Sequence, residues 1–400
     1  MVSRKSPRKT VAPILVDSQM NGRERHHITD PFLPPTPLDS PAPSRSSSPE
    51  HRRRAPFYLR WVVEPVSSLK VLVFPIVLYL NWELVSPYAK PGISNPFARP
   101  FLLSGHVPDA KPDDPRYQKS WWDLLFLCYY VVFFSFARQS LLFYVSRPLA
   151  RYFGLKKASK VDRFGEQMYA LVYFLTMGLW GWRIMATLPT YWYNTKAFWY
   201  GYPHWDMKPE LKRYYLMQSS YWVQQLLVIV LKLEKPRKDY WELVAHHIVT
   251  LWLVGWSYFI NLTLIGNAIY VSMDLPDAFL AFSKLLNYIQ WNTAKIYFFA
   301  LFFVVWSYFR HYLNLKILWS VWYEEPLIPE SSKKWSWSNG SYLTDWMKYQ
   351  VFVPILLLQF LNLFWYYLIL RIMARALLTA EADDTRSDHE DDDEDEKKEG

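Results

Sequence analysis

Eight stretches of about twenty mostly apolar residues dominate this chain, the length a helix needs to cross the hydrocarbon core of a bilayer. They fall at 67–86, 121–145, 167–188, 215–233, 242–261, 264–284, 296–320 and 347–374. In lipid every backbone N–H and C=O must be satisfied internally, which leaves helices and closed barrels as the only spanning structures. Segments this long read as helices. The expected fold is therefore all-α, a polytopic transmembrane bundle of about eight spans. Composition agrees, with 51% hydrophobic and 19% aromatic residues. The mean hydropathy of -0.09 reflects polar ends that dilute an apolar middle. The single cysteine, Cys128, excludes an intrachain disulfide framework and a multi-cysteine metal site.

The ends differ from the middle. Residues 1–60 form a basic tail rich in Pro, Ser, Arg and Lys, with runs such as Ser46-Ser47-Ser48-Pro49 and Arg52-Arg53-Arg54. Such a stretch buries too little apolar area to offset its chain entropy and is expected to be disordered. It has no apolar run near Met1 and is not expected to act as a cleaved signal peptide. Residues 377–400 form an acidic tail, also expected to be disordered. Ser387-Asp388-His389-Glu390 within it matches an acidophilic-kinase site, a pattern frequent by chance. Its end, Lys397-Lys398-Glu399-Gly400, resembles the dilysine retrieval signal of endoplasmic-reticulum membrane proteins; lysines that merely close a charged tail are the alternative.

The net charge of +9 sits in the N-terminal tail and the short loops, so it marks membrane orientation and not nucleic-acid binding. Loop 147–163 carries Arg147, Arg151, Lys156, Lys157, Lys160 and Arg163, and loop 232–238 carries Lys232, Lys235, Arg237 and Lys238. With eight spans, both loops and both termini fall on one side, which the positive-inside bias makes the cytosol. The sequon Asn339-Gly340-Ser341 then lies on the lumenal side, where glycosylation is expected.

Ionisable side chains in hydrocarbon cost roughly 2.5–3.5 kcal/mol each even on mild scales, so they mark function by default. His246 and His247 are adjacent in the fifth segment, and Asp274 and Asp277 are three apart in the sixth. The aspartates share a helix face that continues through Ala281, Lys284 and Tyr288. A turn near Asn261–Thr263 makes the two segments a hairpin and puts the aspartates at histidine depth, toward the cytosolic half. Neighbouring helical residues diverge by about 100°, so the two imidazoles do not aim at one atom. His246 shares its face with Glu242, Thr250 and Ser257, whereas His247 shares its face with Leu243, Leu251 and Val254. The more polar surroundings favour His246 as the ring facing a cavity. Gln218 and Gln225 in the fourth segment also share a face. They suit a substrate tunnel or, with Ser219, Ser220 and Gln224, the polar glue of a helix bundle.

These residues carry a resemblance. Tyr214-Tyr215-Leu216-Met217-Gln218-Ser219-Ser220, Lys235-Pro236-Arg237-Lys238-Asp239-Tyr240-Trp241, His246-His247, Met273-Asp274-Leu275-Pro276-Asp277 and Ser283-Lys284-Leu285-Leu286-Asn287-Tyr288 together closely resemble the ceramide synthase family. The resemblance is nearest to the fungal type, since no insert the size of a homeobox-like domain separates the first two segments. It divides the chain into the tail 1–60, two spans and their loops at 61–160, a TLC catalytic domain at 161–376 and the tail 377–400. It implies a core of about six spans around an internal cavity. It also implies transfer of a fatty acyl group from acyl-CoA to the amine of a sphingoid long-chain base in the endoplasmic-reticulum membrane. By resemblance His246, His247, Asp274 and Asp277 are the functional positions, and Gln218, Ser220, Gln225, Lys284, Asn287 and Tyr288 are candidates for substrate binding. Lys235, Arg237 and Lys238, just cytosolic of His246, suit the phosphates of CoA or serve orientation alone. No cofactor and no metal are expected, acyl-CoA being a substrate. The resemblance further implies a small single-span accessory subunit as partner and leaves room for a homodimer. In relatives the lumenal loop before the last span, here about 321–346, influences acyl length; this loop shows no pattern from which a length can be read.

The chemistry fits the residues. An amine arriving as ammonium must lose a proton before it attacks a thioester, and histidine titrates near neutrality. A histidine can instead take the acyl group itself as nucleophile. Di-iron lipid hydroxylases also use intramembrane histidines but need several histidine clusters. Of nine histidines here, His26, His27, His51, His106 and His389 lie in tails or loops. The other alternative is a TLC-domain lipid sensor or transport factor without enzymatic activity, a class that generally lacks the full histidine–aspartate motif.

Overall fold

In a computed structural model, residues 56–89, 92–234, 239–335 and 344–379 are described. Each of the eight apolar segments lies on a long helix. These are α1 (Pro65–Ala89), α2 (Trp122–Tyr152), α3 (Ala158–Ala186), α4 (Pro209–Val230), α5 (Tyr240–Phe259), α6 (Thr263–Tyr288), α7 (Asn292–Tyr323) and α8 (Met347–Thr379). The described residues contain no strand, only isolated bridges such as Tyr117 to Met207. Four helices, α1, α2, α7 and α8, are long and apolar enough to cross a membrane by length and composition. The inner helices α3 to α6 fall short of that measure because they carry the polar side chains that meet in the centre. Tail residues 1–55 and 380–400, with the dilysine-like end, lie outside the described residues, as do Lys235, Arg237, Lys238 and the sequon at Asn339.

α3 and α6 form the most intimate helix pair. Glycines at one spacing of α3 make it possible. A Cβ at Gly178 would fall against the Leu275 side chain, and one at Gly181 against Val271 and the Tyr214 hydroxyl. With no hydrophobic drive between helices in lipid, such small-residue contacts let backbones approach and dispersion hold them. The α5–α6 turn is three residues long, and Asn261 adopts φ 63°, a left-handed conformation that asparagine tolerates better than most residues. The hairpin expected from the sequence is present. α5, however, packs chiefly on α8 and α4.

Two helices contain a π-helical turn, Leu141–Ser146 in α2 and Ser307–Leu313 in α7. One extra residue per turn shifts the faces on either side, and such bulges often sit at functional sites. At the end of the bundle beyond the α5–α6 turn, residues 92–121 and 187–208 form a layer. Tyr117 and Met207 exchange backbone hydrogen bonds of 3.0 and 2.9 Å, and Tyr202 Oη donates to Ile260 O at 2.7 Å. Lys212 on α4 and Asp123 on α2 pair at 2.8 Å beneath this layer.

Candidate active site

The site forms where α4, α5, α6, α7 and α8 meet. His246 and His247 stand on adjacent positions of α5, both buried, with the Trp222 indole of α4 set edge-to-face against each ring at 5.5 Å. The two rings lie 88° apart in plane. His247 Nδ1 lies 2.8 Å from the Leu243 carbonyl, one turn back. A ring nitrogen that meets a carbonyl oxygen carries the proton, so this contact sets the tautomer and leaves Nε2 without it. His246 differs: its Nδ1 is buried without a hydrogen-bond partner among the described residues, and its ring packs against Trp365 of α8 at 5.4 Å.

His246 lines a pocket of about 560 Å³, part of it open space, between α4, α5, α6 and α8. Its walls are mainly aliphatic and aromatic, including Leu253, Val254, Ile265, Ile269 and Ile355; Thr250 and Ser257 add hydroxyls. His247 is not among the lining residues.

Neither aspartate hydrogen-bonds to a histidine. Asp274 is fully buried, and one carboxylate oxygen accepts from Gln218 Nε2 at 2.5 Å while the other has no hydrogen-bond partner among the described residues. Gln218 in turn donates to Tyr214 Oη at 3.0 Å and accepts from Tyr173 Oη at 2.5 Å. The result is a side-chain chain across α3, α4 and α6. Asp277 pairs with Arg310 of α7 at 2.6 Å. The same guanidinium donates at 3.0 Å to the Met273 carbonyl and at 3.0 Å to Asn362 Oδ1 of α8, and lies 4.4 Å over the Trp306 ring. Arg310 thus ties the Asp277 turn of α6 to α7 and α8. It sits in the π turn of α7, next to His311, whose Nδ1 meets Gln359 Nε2 at 2.8 Å.

The other candidates separate. Gln218 is inside the site. Ser220 is buried and donates to the Leu216 carbonyl of its own helix at 2.8 Å. Gln225 is half-buried and donates to Gln224 at 3.1 Å. Lys284, Asn287 and Tyr288 are not brought to the pocket. Lys284 and Tyr288 share a face with the aspartates but lie two to four turns on; Tyr288 packs beside Leu155, Phe164 and Leu285, and Asn287 accepts from Lys295 at 2.9 Å. Among the described residues no three His, Cys, Asp or Glu side chains gather as a metal site.

Sequence reasoning missed Arg310, Trp222, Trp365 and Tyr173. The signal for Arg310 was present, an arginine inside an apolar segment, which is the same anomaly that singled out the histidines. No comparable signal marks the aromatic residues in a chain with 21 tryptophans and 29 tyrosines.

Comparison with known proteins adds an independent line. The TLC domain matches residues 163–371 of this chain. Sphingosine N-acyltransferase lac1 of Schizosaccharomyces pombe is 40% identical over 332 residues, covering 81% of this chain and 83% of the relative. Ceramide synthase LAG1 of Saccharomyces cerevisiae is 40% identical over 305 residues, covering 73% of each. Ceramide synthase 4 of Bos taurus is 30% identical over 230 residues, covering 57% of this chain and 54% of the relative.

Proposed function

From the premise that the chain belongs to the TLC-domain family of sphingosine N-acyltransferases, which are acyltransferase enzymes, we propose that His246 is the group on which acyl transfer turns. The substrates are a fatty acyl-CoA and a sphingoid long-chain base such as sphinganine, and the products are a ceramide or dihydroceramide and free CoA. The observation that carries the assignment is the His246 ring: buried, its Nδ1 without a hydrogen-bond partner among the described residues, and lining a pocket of apolar walls.

Histidine can serve here in two ways. As a general base it would end as an imidazolium, which a neighbouring carboxylate normally stabilises. Neither Asp274 nor Asp277 contacts His246, whose partners are aromatic rings. That favours the nucleophilic route. The imidazole nitrogen attacks the thioester carbonyl, the C–S bond breaks, and CoA leaves as thiolate and takes up the imidazole proton. The neutral amine then attacks the acyl-imidazole, the C–N amide bond forms, and the amine proton returns to the departing imidazole. Asp274 and Asp277 act at one remove: with Gln218 and Arg310 they fix α6 against α4, α7 and α8. Lys235, Arg237 and Lys238 supply positive charge for the CoA phosphates.

The same reading makes all eight helices spans around an internal cavity, in the endoplasmic-reticulum membrane with both termini cytosolic. A small single-span subunit is its partner, and a homodimer is compatible with it. Asn339→Gln tests the orientation: the wild type should run faster on gels after endoglycosidase treatment and the variant should not. A wild type unaffected by the enzyme would count against a lumenal loop.

The activity itself is tested with protein purified together with any co-purifying small subunit, sphinganine and acyl-CoA. Release of free CoA with ceramide formation is expected, and His246→Ala should abolish both while the protein still accumulates in the membrane. Rapid quench with acyl-CoA alone should leave an acyl adduct on His246. No CoA release from the wild type would return the chain to the lipid-sensor alternative.

A further inference from the structure

Resting on the acyltransferase reading, we infer that the pocket under His246 is a ruler for the acyl chain, graduated by the turns of α5 and closed at its far end by Tyr215 against Ser257 and Gly266.

Four helices descend the pocket in the same order. From the His246 level toward the α5–α6 turn, α4 offers Trp222 then Tyr215, α6 offers Met273 then Gly266, and α8 offers Leu358 then Val351. On α5 the ladder is His246, Thr250, Val254 and Ser257. At 1.5 Å per helical residue these rungs stand about 6, 12 and 16 Å from His246. The far end is shut by contact: the Tyr215 hydroxyl is hydrogen-bonded to Ser257 Oγ, and the Tyr215 ring occupies the place where a side chain at position 266 would begin. Only glycine at 266 lets the ring lie there.

An extended alkyl chain advances about 1.3 Å per methylene, given C–C bonds of ~1.5 Å. The slot from His246 to Ser257 therefore holds about twelve methylenes, and each turn of α5 measures four to five. The acyl chain is the occupant because it is bonded to the carbon that His246 attacks, so it must start at the ring and run down the pocket. None of the described lining residues comes from 321–346. The ruler is thus distinct from the lumenal loop before the last span.

The experiment offers the purified protein sphinganine and an equimolar series of acyl-CoAs of graded length, and ceramides are read by mass spectrometry. Thr250→Phe and Val254→Phe should both shift the product profile to shorter chains, Thr250→Phe by about four carbons more. Tyr215→Leu should extend the profile. Because buried variants can fail to fold, a second measurement uses the wild type. Fatty acyl-CoAs with a terminal diazirine are photolysed on the protein, and the label should move from the Thr250 region to the Tyr215 and Gly266 peptides as the chain lengthens. Unchanged profiles in active variants, a shift in sphingoid-base preference in place of acyl preference, or labels confined to 321–346 would each overturn the inference. CoA release by the wild type in the same assay keeps its failure separate from that of the acyltransferase reading.

Discussion

Replacing Lys212 by methionine should be among the most destabilising single changes outside the site. The Lys212 side chain is fully buried and its partner Asp123 only 6% exposed. All three ammonium protons are used: Nζ meets Asp123 Oδ1 at 2.8 Å, the Ser104 carbonyl at 2.8 Å and the Gln118 carbonyl at 2.7 Å. The carboxylate is equally engaged, accepting from Ser104 Oγ, the Ser120 amide and Tyr258 Oη at 3.0, 2.7 and 2.8 Å. The pair therefore joins α2, α4, α5 and the 92–121 layer. Methionine fills the volume of the stem but leaves one buried charge without its counter-ion and two carbonyls without donors. Breaking a buried pair from one side costs about 3–5 kcal/mol, and each orphaned carbonyl about 1–3 kcal/mol if it stays dry. The expected net loss is about 3–5 kcal/mol, since relaxation recovers some of the sum. The assay is the unfolding half-life of the detergent-purified protein at fixed temperature, the appropriate measure where unfolding is irreversible. If the contacts are lost before the barrier, the half-life falls by roughly a hundredfold or more, at about 1.4 kcal/mol per decade. The double variant Lys212→Met, Asp123→Leu should lose less than the sum of the singles, because it leaves no uncompensated charge. A single variant within about threefold of the wild-type half-life would refute the reasoning.

Arg310→Met should strip Asp277 of its 2.6 Å partner and the Met273 carbonyl of its donor, lowering stability by about 3 kcal/mol and ceramide formation with it. Arg310→Lys keeps the charge but not the fork to Asp277, Met273 and Asn362, so it should rescue only in part, as read by half-life and CoA release. Burial lowers the Lys119 amine from its ordinary 10.5 to about 8, while its Nζ donates to the Phe259 carbonyl at 2.6 Å. Between those values the unfolded chain binds more protons than the folded one, so this residue makes stability rise with pH from about 8 to 10.5, and Lys119→Met should flatten that slope in half-lives measured across the same range.

Hydrophobic length located all eight helices, because the backbone's need for internal hydrogen bonds leaves a long apolar segment little choice. It also located the α5–α6 hairpin and, through the cost of charge in hydrocarbon, the histidines and aspartates. What periodicity does not supply is a neighbour. It placed Lys284 and Tyr288 on the face of Asp274, and they are on that face, yet face says nothing of depth: both lie away from the pocket, and Tyr288 packs into another cluster. It gave the aspartates to the histidines because both lie at similar depth on one hairpin. The structure gives them to Gln218 of α4 and to Arg310, which stands in the π turn of α7.

That pairing was nonetheless within reach of the sequence. A buried guanidinium cannot give up its proton and so requires an acidic or strongly polar partner. Four arginines lie inside apolar segments, Arg138, Arg183, Arg310 and Arg371, with Arg183 and Arg371 close to the ends of theirs. Arg138 stands near the end of its segment and can reach the loops; it pairs with Glu234 at 2.7 Å. Arg310 lies further from either end of its segment, where the acids inside a neighbouring apolar segment are Asp274 and Asp277. Treating every intramembrane ion by the rule applied to the histidines would have reduced its partner to one of two residues. The choice between them rests on packing: Gln218 already holds Asp274 from α4, and Asp277, one turn further along α6, is left to α7.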